Sequence, residues 1–229
     1  MTGQGLRYNV DIVMCIDCTE SMEPLLNVIK RRVLNLYPDV NAANAKMNIK
    51  QIDQLRIRVI GFRDSSCDKE KAFSDSGFLN IPEQEEDFKN FVNNLDAYGG
   101  GSESKCGLEA VAMAINSEWT KGGDKRRHAI IVWSDAPTHP LEEPSTKTAY
   151  YPQGMPGDFD ELTEWWEDEH IGKMDKTAKR CMIFAPDEAS WTDMGLNWTN
   201  TIHHTAKAGD GLSDGDYKAI IASIVAIRY

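Results

Sequence analysis

The sequence predicts an α/β fold in which helices cover both faces of a mostly parallel sheet. Three observations carry this expectation. Near-continuous apolar runs of strand length recur at residues 10–16, 55–62, 129–134 and 181–185, as strands buried on both faces require. Between them lie segments whose apolar residues are three and four apart, the mark of a helix with one buried stripe. Strand and helix alternate from end to end with no Pro- or Gly-rich linker, which favours right-handed βαβ crossovers and one domain over 1–229.

Residues 10–16 read as the first strand and lead into Asp17. Met22, Leu25, Leu26, Ile29, Val33, Leu36 and Tyr37 mark the following helix. Pro24 fits its first turn, where a missing N–H costs little, and Pro38 closes it. The polar, Asn-rich stretch 39–54 reads as a loop. Residues 55–62 form the second strand, followed by Arg63-Asp64, expected to be a local ion pair, and 78–81 form a short edge strand. A helix starting around Glu83 carries Phe88, Phe91, Val92 and Leu95. Gly99-Gly100-Gly101 breaks the chain, and Leu108, Val111, Ala112 and Ile115 mark the next helix. Residues 129–134 are a buried strand ending at Asp135-Ala136-Pro137. An irregular loop is expected over 142–157, one or two helical pieces over 159–179, and strands over 181–185 and 201–205. Tyr217, Ile220, Ile221, Ile224 and Val225 form a closing amphipathic helix. His203 and His204 are expected on opposite faces of their strand. Trp165 and Trp166 are either a partner surface or one core and one half-exposed residue. The acidic run 161–169 reads as a solvated helix face.

Composition narrows the function. The 25 basic and 36 acidic side chains leave a net charge of −11, which argues against nucleic acid as the main partner. Hydrophobic residues make up 41% of the chain, enough for a core, yet no apolar stretch approaches a membrane span. Residues 1–10 show no signal-peptide pattern. The five cysteines (Cys15, Cys18, Cys67, Cys106, Cys181) are scattered and do not form a disulfide framework. These features lead to the expectation of a cytoplasmic protein with reduced thiols. Cys15 and Cys18 have the spacing of a redox pair, but Cys15 falls inside an expected buried strand, so both read as structural thiols.

Open α/β sheets bind ligands at the carboxyl ends of their strands. Asp17, Thr19 and Ser21 follow the first strand, Ser102 and Ser104 follow the Gly-rich break, and Asp135 follows the strand at 129–134. Two aspartates and several hydroxyls thus meet on one rim. Hard oxygen ligands suit Mg²⁺, with Mn²⁺ or Ca²⁺ as alternatives, and not Zn²⁺. Asp17 and Asp135 bind the ion directly or hold its waters, while Thr19 and Ser21 offer neutral oxygens. The bland reading is that Thr19 and Ser21 only cap the next helix. His139, near the rim, reads as a loop stabiliser. The Gly-rich run lacks the Lys-Ser/Thr pair of a P-loop.

Asp17-Cys18-Thr19-Glu20-Ser21, the triple glycine with Ser102, and Asp135 after Ile130-Ile131-Val132-Trp133-Ser134 resemble the von Willebrand factor type A domains, whose metal-ion-dependent adhesion site reads Asp-x-Ser-x-Ser, a later Thr and a later Asp. Gly61-Phe62-Arg63-Asp64 and Asp135-Ala136-Pro137-x-His139 are most similar to the family's intracellular branch, which includes domains attached to alpha-type kinases. The resemblance implies a doubly wound, Rossmann-like sheet. It also implies a metal site of Asp17, Thr19, Ser21, Ser102 and Asp135, with Ser104 competing for the place of Ser102. The function implied is Mg²⁺-dependent binding of a protein partner that offers Asp or Glu, with no catalysis. Two alternatives stand beside it. One is a Mg²⁺-dependent phosphohydrolase, for which Thr19 stands where a second carboxylate is needed. The other is a regulatory or structural domain whose metal site is inactive.

Overall fold

The computed structural model describes residues 6–47, 51–168, 170–205 and 214–225. Its strands are β1 (Tyr8–Asp17), β2 (Gln54–Phe62), β3 (Phe73–Asp75), β4 (Leu79–Ile81), β5 (Lys125–Trp133), β6 (Lys179–Ala185) and β7 (Thr201–Thr205). They form one seven-stranded sheet in the order β3-β2-β1-β5-β6-β7, with β4 also on β2. Pairing is parallel throughout, except that β3 and β4 run antiparallel to β2. β1 lies between β2 and β5, and all ten of its residues are buried.

Strand alternation sends side chains to two cores. Val10, Ile12, Met14 and Ile16 pack on one face. They are covered by α1 (Glu23–Leu34), α2 (Leu36–Lys46), α4 (Glu85–Asn93) and α8 (Asp214–Val225). Val13 and Cys15 point to the other face, under α5 (Gly107–Ile115), α6 (Phe159–Glu167) and α7 (Ala189–Asn197). The second core is rich in tryptophan. Trp166 and Trp198 stack with centroids 5.4 Å apart, and the fully buried Trp191 donates its indole N–H to the Ala136 carbonyl at 3.0 Å. Trp166 is therefore core and Trp165 only partly buried. His204 stacks on Phe184 of the first core, while His203 faces Gly195 of α7, so the two histidines point to opposite faces. The doubly wound, mostly parallel architecture matches the sequence expectation.

Several local expectations are corrected. The stretch expected as a loop over 39–54 is helical as far as Lys46, and Pro38 is the third residue of α2. Proline lacks the N–H that would continue α1, so α1 stops at Leu34, but its fixed φ is well suited to a new first turn. The helical reading of 159–179 holds only to Glu167. Gly172 lies against backbone there, and a Cβ on it would come within 2.4 Å of the Trp165 carbonyl. Three elements had no signal: β3, α7, and α3 (Ser65–Asp68). β3 and α3 are too short for periodicity to show, and α7 buries only Trp191 and Met194. β5 and β6 begin earlier than expected because they start on charged residues, Lys125-Arg126-Arg127 and Lys179-Arg180. Glu169 and the side chain of Val225 lie outside the described residues.

Arg63 does not pair with Asp64. Its buried guanidinium donates to the carbonyls of Cys18 (2.9 Å), Lys71 (2.8 Å) and Asp96 (2.5 Å) and lies 4.0 Å over the Tyr98 ring. It ties the segment after β1 to the one before the Gly-rich turn. Arg63→Met removes all three bonds from a charged donor, each worth about 1.5–3 kcal/mol, and leaves the Cys18 carbonyl only its bond from the Tyr98 N–H. We expect a loss of about 3 kcal/mol or more in urea unfolding. Arg63→Lys should recover less than half, because an ammonium cannot fork to three carbonyls while lying flat on a ring.

Candidate metal centre

The chain leaves β1 toward β2 on one side and continues as β5, β6 and β7 on the other, so strand order reverses between β1 and β5. Crevices at such switch points are where open α/β sheets take ligands. Asp17 is the last residue of β1, and Asp135 follows the end of β5 by two. The parallel register Ile16↔Trp133 then places Asp17 beside Ser134.

The Asp17 side chain is 0% exposed. Its Oδ1 accepts from the Thr19 backbone N–H at 2.9 Å and from the Thr19 hydroxyl at 2.7 Å. Its Oδ2 accepts from the Ser134 hydroxyl at 2.7 Å. Thr19 Oγ1 lies 3.4 Å from Ser21 Oγ, which donates to Asp135 Oδ1 at 3.0 Å. Asp17, Thr19, Ser21 and Asp135 thus form one continuous run of oxygens from the buried end of β1 to the exposed rim. Thr19 precedes the 3-10 turn Glu20–Met22 that opens α1, yet its side chain makes no capping bond. Capping therefore does not account for this hydroxyl, which turns to Asp17.

All three hydrogen-bond donors to Asp17 are neutral, and it has no salt-bridge partner among the described residues. Burial raises its pKa to about 6, against the lowering effect of the Thr19 and Ser134 bonds, and nearby Asp135 adds to the rise. A buried carboxylate without a counter-charge suits a cation. Two carboxylates with two hydroxyls are also the hard donor set that Mg²⁺ takes. Among the described residues no group of three or more His, Cys, Asp or Glu side chains is placed to hold a metal; this rim has two carboxylates, and its other oxygens are hydroxyls.

The Gly-rich loop closes over this run. Gly100 has φ +76°, and a Cβ there would lie 2.4 Å from Thr19 Cγ2, so both the backbone angle and the space call for glycine. Ser102 lines the same depression as Thr19, Ser21 and Asp135, but its hydroxyl is engaged elsewhere. It donates in a short bond to Asp64 Oδ2, lies 2.6 Å from the Ser104 carbonyl, and is 3.3 Å from His139 Nε2. Asp64 also accepts from the Ser66 N–H at 2.9 Å and hydroxyl at 2.7 Å. Burial would raise Asp64, but the bonds from Ser102 and Ser66 and the nearby His139 together hold it below the usual range. Of the two serines after the glycines, Ser102 belongs to this neighbouring cluster and Ser104 contributes its carbonyl to it. His139 braces the same loops, its N–H donating to the Lys105 carbonyl at 2.8 Å.

Two further residues shape the site. Ser134 fixes Asp17 from β5, and the signal was a hydroxyl between an apolar run and Asp135. Lys105 is 5% exposed; its ammonium donates to the Gly100 carbonyl at 2.7 Å and, in a short bond, to that of Ser102, pinning the glycine loop. No periodicity marked it. Cys15 and Cys18 are buried free thiols, each pushed up to about 12 by burial, which agrees with the structural reading and not with redox chemistry.

No protein-family model matches the chain, and no curated protein matches it by sequence. Among solved structures it is similar to the pilus adhesin SpaC from Lactobacillus rhamnosus GG, with TM-score 0.58 and 11% identity over 96% of this chain and 31% of the adhesin. The same adhesin in an open conformation gives TM-score 0.52 and 12% identity over 95% and 29%. Proximal thread matrix protein 1 of the mussel byssus gives TM-score 0.51 and 13% identity over 96% and 48%. This chain spans less than half the length of each, and at such identities the likeness is one of fold.

The raised pKa of Asp17 has a signed consequence for stability. Folded Asp17 holds its proton up to about pH 6, whereas the ordinary pKa of the free side chain is 3.8. Its contribution is therefore most favourable below 3.8 and is lost as pH rises through about 6, by roughly 3 kcal/mol. In chelator, Asp17→Asn should be more stable than wild type at pH 7.5, and the difference should vanish by pH 4. Thermal melts across that range check it.

Proposed function

We propose that this rim is a divalent-metal-dependent site for binding a protein partner through one of the partner's Asp or Glu side chains, as the resemblance to von Willebrand factor type A domains implies. The observation that carries the reading is Asp17, a fully buried carboxylate with only neutral hydrogen-bond donors, joined through Thr19 and Ser21 to Asp135 at the surface. Thr19 and Ser21 would coordinate the ion, and Asp17 and Asp135 would balance its charge directly or through waters. Bound Mg²⁺ would supply the positive charge that accepts the incoming carboxylate. Ser134 and Lys105 act on the site by position: Ser134 orients Asp17, and Lys105 holds the glycine loop over Thr19.

The neighbouring cluster is not arranged as a serine nucleophile with its base. His139 Nε2 faces both Ser102 Oγ (3.3 Å) and Asp64 Oδ2 (3.5 Å), and Ser102 itself donates to Asp64. A serine nucleophile needs one imidazole nitrogen toward the hydroxyl and the other toward the carboxylate, and this arrangement offers one nitrogen to both. A cytoplasmic location fits the five free cysteines. Among the described residues no helix is long and apolar enough to cross a membrane.

Calorimetric titration of metal-stripped protein with Mg²⁺ and Mn²⁺ tests the reading. Wild type should bind one ion, and Asp17→Ala should abolish binding while keeping its circular dichroism spectrum. Equal binding by Asp17→Ala would sink the proposal. The geometry also ranks the hydroxyls. Ser21→Ala should weaken Mn²⁺ at least about tenfold, a cost near 1.4 kcal/mol. Ser102→Ala should change it by less than about threefold, since that hydroxyl is held by Asp64.

A further inference from the structure

The end of the sheet opposite the rim carries the opposite charge. Residues 121–127 hold Lys121, Lys125, Arg126 and Arg127 against one acid, Asp124, and residues 173–180 hold Lys173, Lys176, Lys179 and Arg180 against Asp175. Eight basic and two acidic side chains are thus gathered in a chain whose net charge is −11. The tertiary structure brings the two runs together, because β5 and β6 pair in parallel with His128↔Lys179 and Ala129↔Arg180 in register.

Between them lies a cavity of about 720 Å³, lined among others by Lys121, Arg126, His128, Lys173, Lys176 and one carboxylate, Asp175, which is paired with Arg126. That volume is within the range of small-molecule sites. Its walls are fixed. His128 is 2% exposed and stacks on Trp119 with centroids 5.0 Å apart. Its Nε2 lies 3.0 Å from the Thr120 carbonyl, and its Nδ1 accepts from the Asp175 N–H at 3.3 Å, so the ring braces one wall against the other. Arg126 is held by Asp175 at 2.5 Å and by the Lys121 carbonyl, and Lys173 by Glu118 at 2.8 Å. Lys121 and Lys176 are exposed at the mouth. An adjoining depression shares Arg126 and Thr177 and adds Arg127 and Arg180.

Beside the cavity, at Arg180 and Lys179, burial first and like charge second disfavour the charged forms. Burial lowers Arg180, and neighbouring Arg127 lowers it further; burial and Lys176 together outweigh Glu167 in lowering Lys179. A bound anion relieves such crowding. The remaining surface is acidic enough that an extended polyanion such as nucleic acid would be repelled beyond the patch, so a compact ligand with dense charge fits best.

We propose that this cavity binds a compact ligand bearing clustered phosphates, gripped by Lys121 and Lys176, with Arg126 and Lys173 adding positive charge behind them. The proposal is independent of the metal rim, and its test is run without metal. Inorganic tripolyphosphate is titrated calorimetrically into the full chain in excess EDTA at low ionic strength. Wild type should show saturable one-to-one binding. The exposed-site double variant Lys121→Glu/Lys176→Glu should weaken it at least about tenfold, and Lys89→Glu on α4 should leave it within about twofold. Thermal melts confirm that the variants are folded. Absence of saturable binding by wild type, or unchanged affinity in the double variant, overturns the proposal. Equal affinity for a single-stranded oligonucleotide overturns the compact-ligand assignment. Flotation with phosphatidylcholine vesicles containing a bisphosphorylated phosphoinositide then identifies the source. Co-flotation that is lost in the double variant assigns the phosphates to a lipid headgroup, and tripolyphosphate binding without co-flotation assigns them to a soluble ligand.

Discussion

The rim of this protein depends on one buried guanidinium. Arg63 reaches the carbonyl immediately before Thr19 and the carbonyl of Asp96, three residues ahead of the Gly-rich loop, and its third bond goes to Lys71. Loops at the end of a sheet have no ladder to set their spacing, so something else must satisfy their buried carbonyls. A planar fork with several donors does this for three segments at once. With those segments fixed, Gly100 can lie against Thr19, Lys105 can reach back to two carbonyls of the same loop, and the hydroxyls of Thr19 and Ser21 face Asp17 and Asp135.

On the proposed reading, the site so built is a compromise between folding and binding. Asp17 ends the most buried strand of the sheet, where a charged group is costly, and the structure gives it hydrogen bonds but no counter-charge. The neighbouring carboxylate, Asp64, is treated differently: short polar contacts from Ser66 and Ser102 hold it in its charged form. Two aspartates on one rim therefore have opposite tendencies, one lifted by burial and one held down by hydrogen bonds. That contrast sets the run proposed to take a cation apart from a bracing cluster whose carboxylate is already satisfied by hydrogen bonds.

The molecule is also polarised along its strands. Carboxylates and hydroxyls collect at the carboxyl ends of β1 and β5, and lysines and arginines at the amino ends of β5 and β6. A parallel sheet makes this segregation simple, because every strand presents the same end to the same side. Charge patterns that are short and scattered in the sequence thus become two opposed surfaces.

The sequence by itself determined the layers and the nearness of three residues of the candidate site. Apolar runs at 10–16, 55–62, 129–134 and 181–185 are long enough to be read directly, and they impose a parallel sheet with helices between its strands. Asp17, Thr19 and Ser21 lie within one short stretch at a strand's end, so their closeness needed no tertiary information, and Asp135 was legible as the residue just past another buried strand. What depended on distant contacts was not legible. Ser102 sits where the pattern expects a ligand, but its hydroxyl is claimed by Asp64, thirty-eight residues away. Arg63 looked like the partner of its neighbour and instead serves three backbone carbonyls. The short pieces β3 and α3 have too few residues to show a period, and α7 buries only Trp191 and Met194, too few to mark a stripe. Local periodicity reports which face of an element is buried; only the folded chain decides which polar group meets which, because each hydrogen bond is settled by whichever partner the tertiary structure brings within reach.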